Sequence, residues 1–221
     1  MPYFKNKDIN ILFIHIPKTG GSSLEYYLSQ KYQILLNNDS LSGFLSNDNT
    51  EINNLKEKYQ IKSSMQHFTY RNIVDLKNES ILNVDFENNL KIISIVRNPY
   101  TKIVSDLFTH SLININTSKE EVYHILYSNY IHSDKYDNHN LPQFSFLIDE
   151  NEKLLENITI FKTETLTDSL INYGYKDFYV YINKNYMSID YLSYLNDDSI
   201  RLINDFYSKD FEYFNYEKII V

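Results

Sequence analysis

The 221-residue chain has no cysteine, no alanine and no tryptophan, only 4 glycines and 4 prolines, and arginine only at Arg71, Arg97 and Arg201. Without cysteine there is neither a disulfide framework nor a thiolate metal site, which is compatible with a reducing compartment. No apolar run approaches the roughly 20 residues of a membrane span. The stretch Ile9 to Ile16 is too short for one and leads straight into a polar turn, so it does not read as a signal peptide. A basic excess is also missing. The net charge of −8 argues against a general binder of nucleic acid or anionic membrane, so any anion site has to be local.

What is present, 43% hydrophobic and 15% aromatic residues, belongs to a folded chain large enough for a substantial core. Neither a repeat nor a linker divides it, so one domain is expected over residues 1–221. In a composition this poor in glycine and arginine, the places where they occur are informative. Gly20 and Gly21 adjoin each other in Ile11-Leu12-Phe13-Ile14-His15-Ile16-Pro17-Lys18-Thr19-Gly20-Gly21-Ser22-Ser23-Leu24. This reads as a buried strand, a tight turn and a helix through about Lys31, with Leu24, Tyr27, Leu28 and Tyr32 apolar. Such a turn is suited to an anion: the N–H groups of a first helical turn are unpaired, the helix dipole favours negative charge, and glycine lets the main chain approach closely.

Further along, Asn37 to Thr50 reads as a loop and Glu51 to Tyr59 as a short helix. Ile61 to His67 reads as a strand ending at His67, followed by a helix from Thr69 or Tyr70 to about Lys77. Leu90 to Val96 is a second buried strand. Asn98 is a suitable N-cap and Pro99 a suitable first helical residue, so a helix bearing Ile103, Val104, Leu107 and Phe108 is expected there. In a parallel sheet both strand-turn-helix units open at the same edge, where ligands bind. Helices are expected near Lys119 to Ser128 and from Pro142 to Ile148. A third strand is expected over Asn157 to Lys162, then a helix from about Leu166 that stops at Gly174. Tyr175 to Leu195 is aromatic and irregular, and Asp197-Asp198-Ser199 caps a last helix with Ile203, Phe206 and Tyr207.

The turn lacks the Walker spacing, in which a glycine immediately precedes the lysine; here Lys18 comes before the glycines. Pro-Lys-Thr-Gly-Gly-Ser-Ser after an apolar strand resembles the 5′-phosphosulfate loop of sulfotransferases that use 3′-phosphoadenosine 5′-phosphosulfate (PAPS). Ile95-Val96-Arg97-Asn98-Pro99-Tyr100, with Ser105 eight residues after Arg97, resembles the 3′-phosphate site of the same superfamily. His-Ile-Pro-Lys-Thr-Gly-Gly is similar to its carbohydrate sulfotransferase-like branch, as are, more loosely, Gln66-His67-Phe68-Thr69, Leu141-Pro142-Gln143, Phe161-Lys162-Thr163-Glu164, Asn183-Lys184-Asn185 and Tyr207-Ser208-Lys209-Asp210.

The resemblance implies an α/β fold, a single P-loop kinase-like domain with a central, mainly parallel sheet flanked by helices. It also implies transfer of a sulfuryl group from PAPS to a hydroxyl, most plausibly on a carbohydrate. Lys18 would neutralise charge at the bridging oxygen, Thr19, Gly20, Gly21, Ser22 and Ser23 would donate to the 5′-phosphate, and Arg97 and Ser105 would hold the 3′-phosphate. His67 would take the acceptor proton, with His110, His132 and His139 as rivals. His15 reads as a packed residue orienting the turn, Glu164 as structural. The scheme requires no metal. With a charge of −8, a neutral glycan, glycolipid or small hydroxylated acceptor suits at least as well as a polyanionic one. The expected location is soluble and cytoplasmic, or Golgi-lumenal for an excised catalytic domain. The alternatives are an ATP-dependent P-loop kinase, which would need Mg²⁺-binding acidic residues, and a non-catalytic nucleotide- or glycan-binding descendant.

Overall fold

A computed structural model describes residues 1–37, 54, 56–78, 82, 84–179 and 189–221. Its centre is a four-stranded sheet of β1 (Tyr3–Lys5), β2 (Asn10–Ile14), β3 (Lys91–Val96) and β4 (Ile158–Lys162), side by side in that order. β1 runs antiparallel to β2, with Tyr3 opposite Leu12; β2, β3 and β4 are parallel, with Leu12 opposite Ile92 and Ile95 opposite Phe161. The fold is therefore α/β with a mainly parallel sheet. Side chains alternate across it as the two-residue period of a strand requires. Ile11, Phe13, Ile93 and Ile95 enter one apolar cluster, and Leu12, Ile14, Ile92 and Val96 the other. Burial on both faces explains why β2 and β3 read as continuous apolar runs.

The first face is covered by α1 (Gly21–Tyr32), through Leu24, Tyr27 and Leu28, and by Leu166 and Leu170 of α5 (Leu166–Tyr173). The second is covered by Ile73 and Leu76 of α2 (Tyr70–Asn78) and by Phe144 and Phe146 of a 3₁₀ segment, Gln143–Phe146. A third cluster gathers α3 (Pro99–Thr109) with α4 (Lys119–Ile125), α6 (Asp197–Phe206) and α7 (Ser208–Tyr213). α3 starts as expected: Pro99 is its first residue and Asn98 Oδ1 accepts from Tyr100 N at 3.0 Å. α5 stops at Gly174, whose φ of 117° few other residues adopt.

The structure departs from expectation in several places. No strand forms over residues 61–67. Met65–His67 is a 3₁₀ turn that buries Met65, Gln66 and His67 together, where a strand would turn alternate residues outward. Asp137 draws the chain into that turn by accepting from both Ser64 N and Ser64 Oγ. α4 gives way at Leu126–Tyr130 to a wider π-turn, and α6 is capped by Asn196 in place of the acidic pair that follows it. The segment from Pro142 is a 3₁₀ turn of four residues, and β1 was not anticipated. The expected Asn37 to Thr50 loop, beyond Asn37, and Asn183-Lys184-Asn185 lie outside the described residues, as do 51–53 and 55 of the expected 51–59 helix, of which 54 and 56–58 are helical. Among the described residues no helix is long and apolar enough to cross a membrane.

Candidate active site

Lys18, Gly20 and Arg97 meet at the carboxyl edge of the parallel strands. Lys18 takes a left-handed φ of 64° and Gly20 one of 87°, so the chain turns sharply between β2 and α1. Gly21 is required for a different reason. A Cβ there would lie 2.8 Å from His15 Nε2, because the buried His15 ring packs directly on the helix start. That ring is fixed by a hydrogen-bonded pair between His15 Nδ1 and buried Glu25 Oε1, with Gln66 Nε2 at 3.4 Å from Glu25 Oε2. Burial raises the Glu25 pKa, but the adjacent His15 outweighs this and holds the carboxyl below its ordinary range.

Among the described residues no side chain caps the N-terminus of α1, and Ser23 N bonds back to Gly20 O at 3.1 Å. Thr19 is fully buried and its hydroxyl donates to Ile16 O at 2.8 Å, so only its main chain remains for a ligand; Ser22 is half-buried and Ser23 buried. The Lys18 ammonium is half-buried and, among the described residues, makes no hydrogen bond or ion pair. Burial lowers its pKa, opposed by the nearby Asp106 carboxylate and reinforced by Arg97.

Arg97 joins the two motifs. Its Nη1 donates to Lys18 O at 3.1 Å and its Nε to Thr101 Oγ1 at 3.1 Å, while the guanidinium carbon lies 5.1 Å from the centre of the Tyr191 ring. Thr101 and Ser105, four residues apart, lie on one side of α3, and Arg97 precedes the helix and reaches Thr101. Ser105 is buried one turn beyond Thr101. The Arg97 backbone is clasped by Gln143, whose Oε1 accepts from Arg97 N and whose Nε2 donates to Arg97 O, each at 2.8 Å. Gln143 is held in turn by fully buried Asp210, which accepts from Gln143 N at 2.9 Å and Phe144 N at 2.8 Å; burial raises the Asp210 pKa to about 6. The Thr163 hydroxyl sits between the carbonyls of Thr19 and Val96, at 2.6 and 3.1 Å. Glu164 is structural: it accepts from Asn98 N and from the Tyr216 hydroxyl.

His67 lies at the end of the 3₁₀ turn, not at a strand end. Its Nδ1 is 2.7 Å from Asp137 Oδ2, and its side chain is 10% exposed. Burial lowers the imidazole pKa to about 4 against the pull of Asp137, whose own carboxyl is raised by burial but held at about 2 by the bond from His67. A carboxylate only accepts, so Nδ1 carries the proton and Nε2 is the lone-pair nitrogen. Ring contacts continue from His15 to His67 (5.5 Å), His139 (4.7 Å) and His110 (4.8 Å). His132 is exposed and stacks edge-on against Phe206, outside this row. Asp137, Asp106, Gln143 and Tyr191 were not singled out as site residues from the sequence. Asp137 pairs with His67 across 70 positions in an Asn- and Asp-rich chain, so no local pattern marks it. Compared with known protein families, characterised proteins and solved structures, the chain matches none.

Proposed function

We propose that the protein transfers a sulfuryl group from PAPS to a hydroxyl of an acceptor, a carbohydrate or another hydroxyl-bearing molecule. The observation that carries this reading is the half-buried Lys18 ammonium without a hydrogen-bonding or ion-pairing partner among the described residues, beside an uncapped helix start and tied through its carbonyl to Arg97. Two cations beside the first turn of a helix at one strand edge suit a ligand with two separated anionic groups. Bound PAPS would supply the activated sulfuryl group.

The chain's residues would then act by positioning and charge stabilisation. Lys18 would offset the charge left on the 5′-phosphate oxygen as its bond to sulfur breaks. The main chain of Thr19 to Ser22 would donate to that phosphate, and Arg97, backed by Gln143, would hold the 3′-phosphate with Ser105. His67 Nε2 would accept the hydroxyl proton as the acceptor oxygen bonds to sulfur, while Asp137 keeps the ring in the required tautomer. The products are the sulfate ester, 3′,5′-ADP and a proton.

The test is transfer of labelled sulfate from PAPS to a panel of neutral and anionic oligosaccharides. The wild type should label at least one acceptor. His67→Ala should retain 3′,5′-ADP binding and lose transfer, and Lys18→Ala should lose both rate and affinity. Normal turnover in His67→Ala would remove the base assignment, and absence of transfer to every acceptor class together with absence of 3′,5′-ADP binding would remove the reading.

A further inference from the structure

We propose that Asp106, His110 and His139 form a binding site for one divalent transition-metal ion of the zinc class. Asp106 and His110 are one turn apart at the end of α3, and the loop after the π-turn brings His139 onto them. One ligand atom from each of the three residues lies within 4.8 Å of the others. Asp106 Oδ1 is 2.7 Å from His139 Nδ1 and 3.6 Å from His110 Nε2. In tetrahedral zinc coordination, with bonds of about 2.0–2.1 Å, neighbouring ligand atoms stand about 3.3 Å apart. The two separations from Asp106, 2.7 and 3.6 Å, lie on either side of that spacing, and the third is within 4.8 Å.

The second observation is His110 Nε2, a buried nitrogen that has no hydrogen-bond partner among the described residues. A buried polar atom left unpaired costs stability, and a metal bond would satisfy it. The overlapping group of His67, Asp137 and His139 lacks this feature. There Asp137 already accepts from His67, Ser64 N and Ser64 Oγ, which occupy three of its about four lone-pair sites. Both groups draw on His139, and the unpaired His110 Nε2 assigns it to the Asp106 group.

The surroundings are those of a supported metal centre. The Tyr130 hydroxyl, positioned by the π-turn, donates to the second Asp106 oxygen, and Lys102 Nζ donates to the His139 carbonyl at 2.6 Å. His110 N bonds to Asp106 O at 3.0 Å, fixing the two α3 ligands relative to each other. Asp106 is fully buried while the His110 side chain is 26% exposed, so an ion would enter past His110. Two imidazoles and one carboxylate suit zinc, and three protein ligands leave a fourth position for water or an anion. On binding, the metal would replace the hydrogen bond between His139 Nδ1 and Asp106, and the imidazole proton would move to Nε2.

Chelator-treated full-length protein should be titrated with ZnCl₂ by calorimetry and with CoCl₂ by visible absorption. The expected results are one ion per chain, a tetrahedral cobalt spectrum and a rise in melting temperature with zinc. His110→Ala removes a side chain that makes no hydrogen bond through Nε2 and should weaken zinc binding by at least about 100-fold, beyond the usual effect of losing an outer partner. His139→Ala should do the same, and His132→Ala should bind as the wild type does. Absence of saturable binding by the wild type, or unchanged affinity in either ligand variant, would overturn the proposal. If one ligand variant fails to fold, the other and the wild-type cobalt spectrum decide.

Discussion

Gly21→Ala tests whether the anion loop is shaped by packing against His15. The added Cβ would lie 2.8 Å from His15 Nε2, 2.9 Å from Cδ2 and 3.1 Å from Cε1, so the ring must retreat by about 0.6 Å to reach an ordinary 3.4 Å contact. It has little room to do so. Its Nδ1 is paired with buried Glu25, and its faces meet Phe13 at 5.7 Å and His67 at 5.5 Å. Overpacking of this kind costs about 1–3 kcal/mol. The higher helix propensity of alanine offsets up to about 1 kcal/mol of it, less at a first helical position. The net expectation is a loss of about 1–2 kcal/mol, or about 2–8 °C in melting temperature for a chain of this length. Urea unfolding and thermal melts would measure it, and the same substitution should be made in a His15→Ala background, where the clash is gone. There Gly21→Ala should be neutral or slightly stabilising, giving a coupling of about 1 kcal/mol or more. Wild-type stability in the single variant, or the same cost in both backgrounds, would refute the packing account.

Gln143→Leu keeps the volume but leaves the Arg97 N–H and carbonyl unpaired, so urea unfolding should show a loss of about 2–4 kcal/mol; a change within about 0.5 kcal/mol would mean the clasp is not needed. Asn98→Ala removes the cap of α3 and should cost about 1 kcal/mol in the same assay. Because His15 holds Glu25 below its ordinary 4.5, that carboxylate stabilises the fold fully above pH 4.5, and its contribution is lost as pH falls through the lower folded value. Melting temperature followed into the acid range should therefore fall less steeply in Glu25→Gln than in the wild type, and parallel curves would contradict the pairing.

How much of this was legible in the sequence depended on whether the determining contacts were local. β2 and β3 could be read because burial on both faces forces near-continuous apolar runs, Ile11 to Ile14 and Ile92 to Val96, the latter interrupted only by buried Ser94. The start of α3 at Asn98-Pro99 and the stop at Gly174 could be read because each rests on one residue's backbone chemistry. β1 was not legible, since three residues at an edge carry no periodicity. The turn at Met65–His67 was mistaken for a strand because its cause, the Asp137 carboxylate, lies more than 70 positions away. Separations of 33 and 46 positions likewise hid the pairing of Asp106 with His139 and the clasp of Gln143 on Arg97. The Lys18 and Arg97 motifs were visible separately, and the bond from Arg97 to the Lys18 carbonyl was not.

Under the proposed function that bond would join the turn that holds the 5′-phosphate to the residue that holds the 3′-phosphate, and the most direct test is calorimetric titration of the wild type and Arg97→Ala with 3′,5′-ADP and with 5′-ADP. A charge-assisted hydrogen bond contributes about 1.5–3 kcal/mol, so the wild type should prefer 3′,5′-ADP by about 10- to 150-fold. Arg97→Ala should erase most of that preference while 5′-ADP still binds. Equal affinity of the wild type for the two nucleotides, or an undiminished preference in Arg97→Ala, would contradict the assignment of PAPS as the donor.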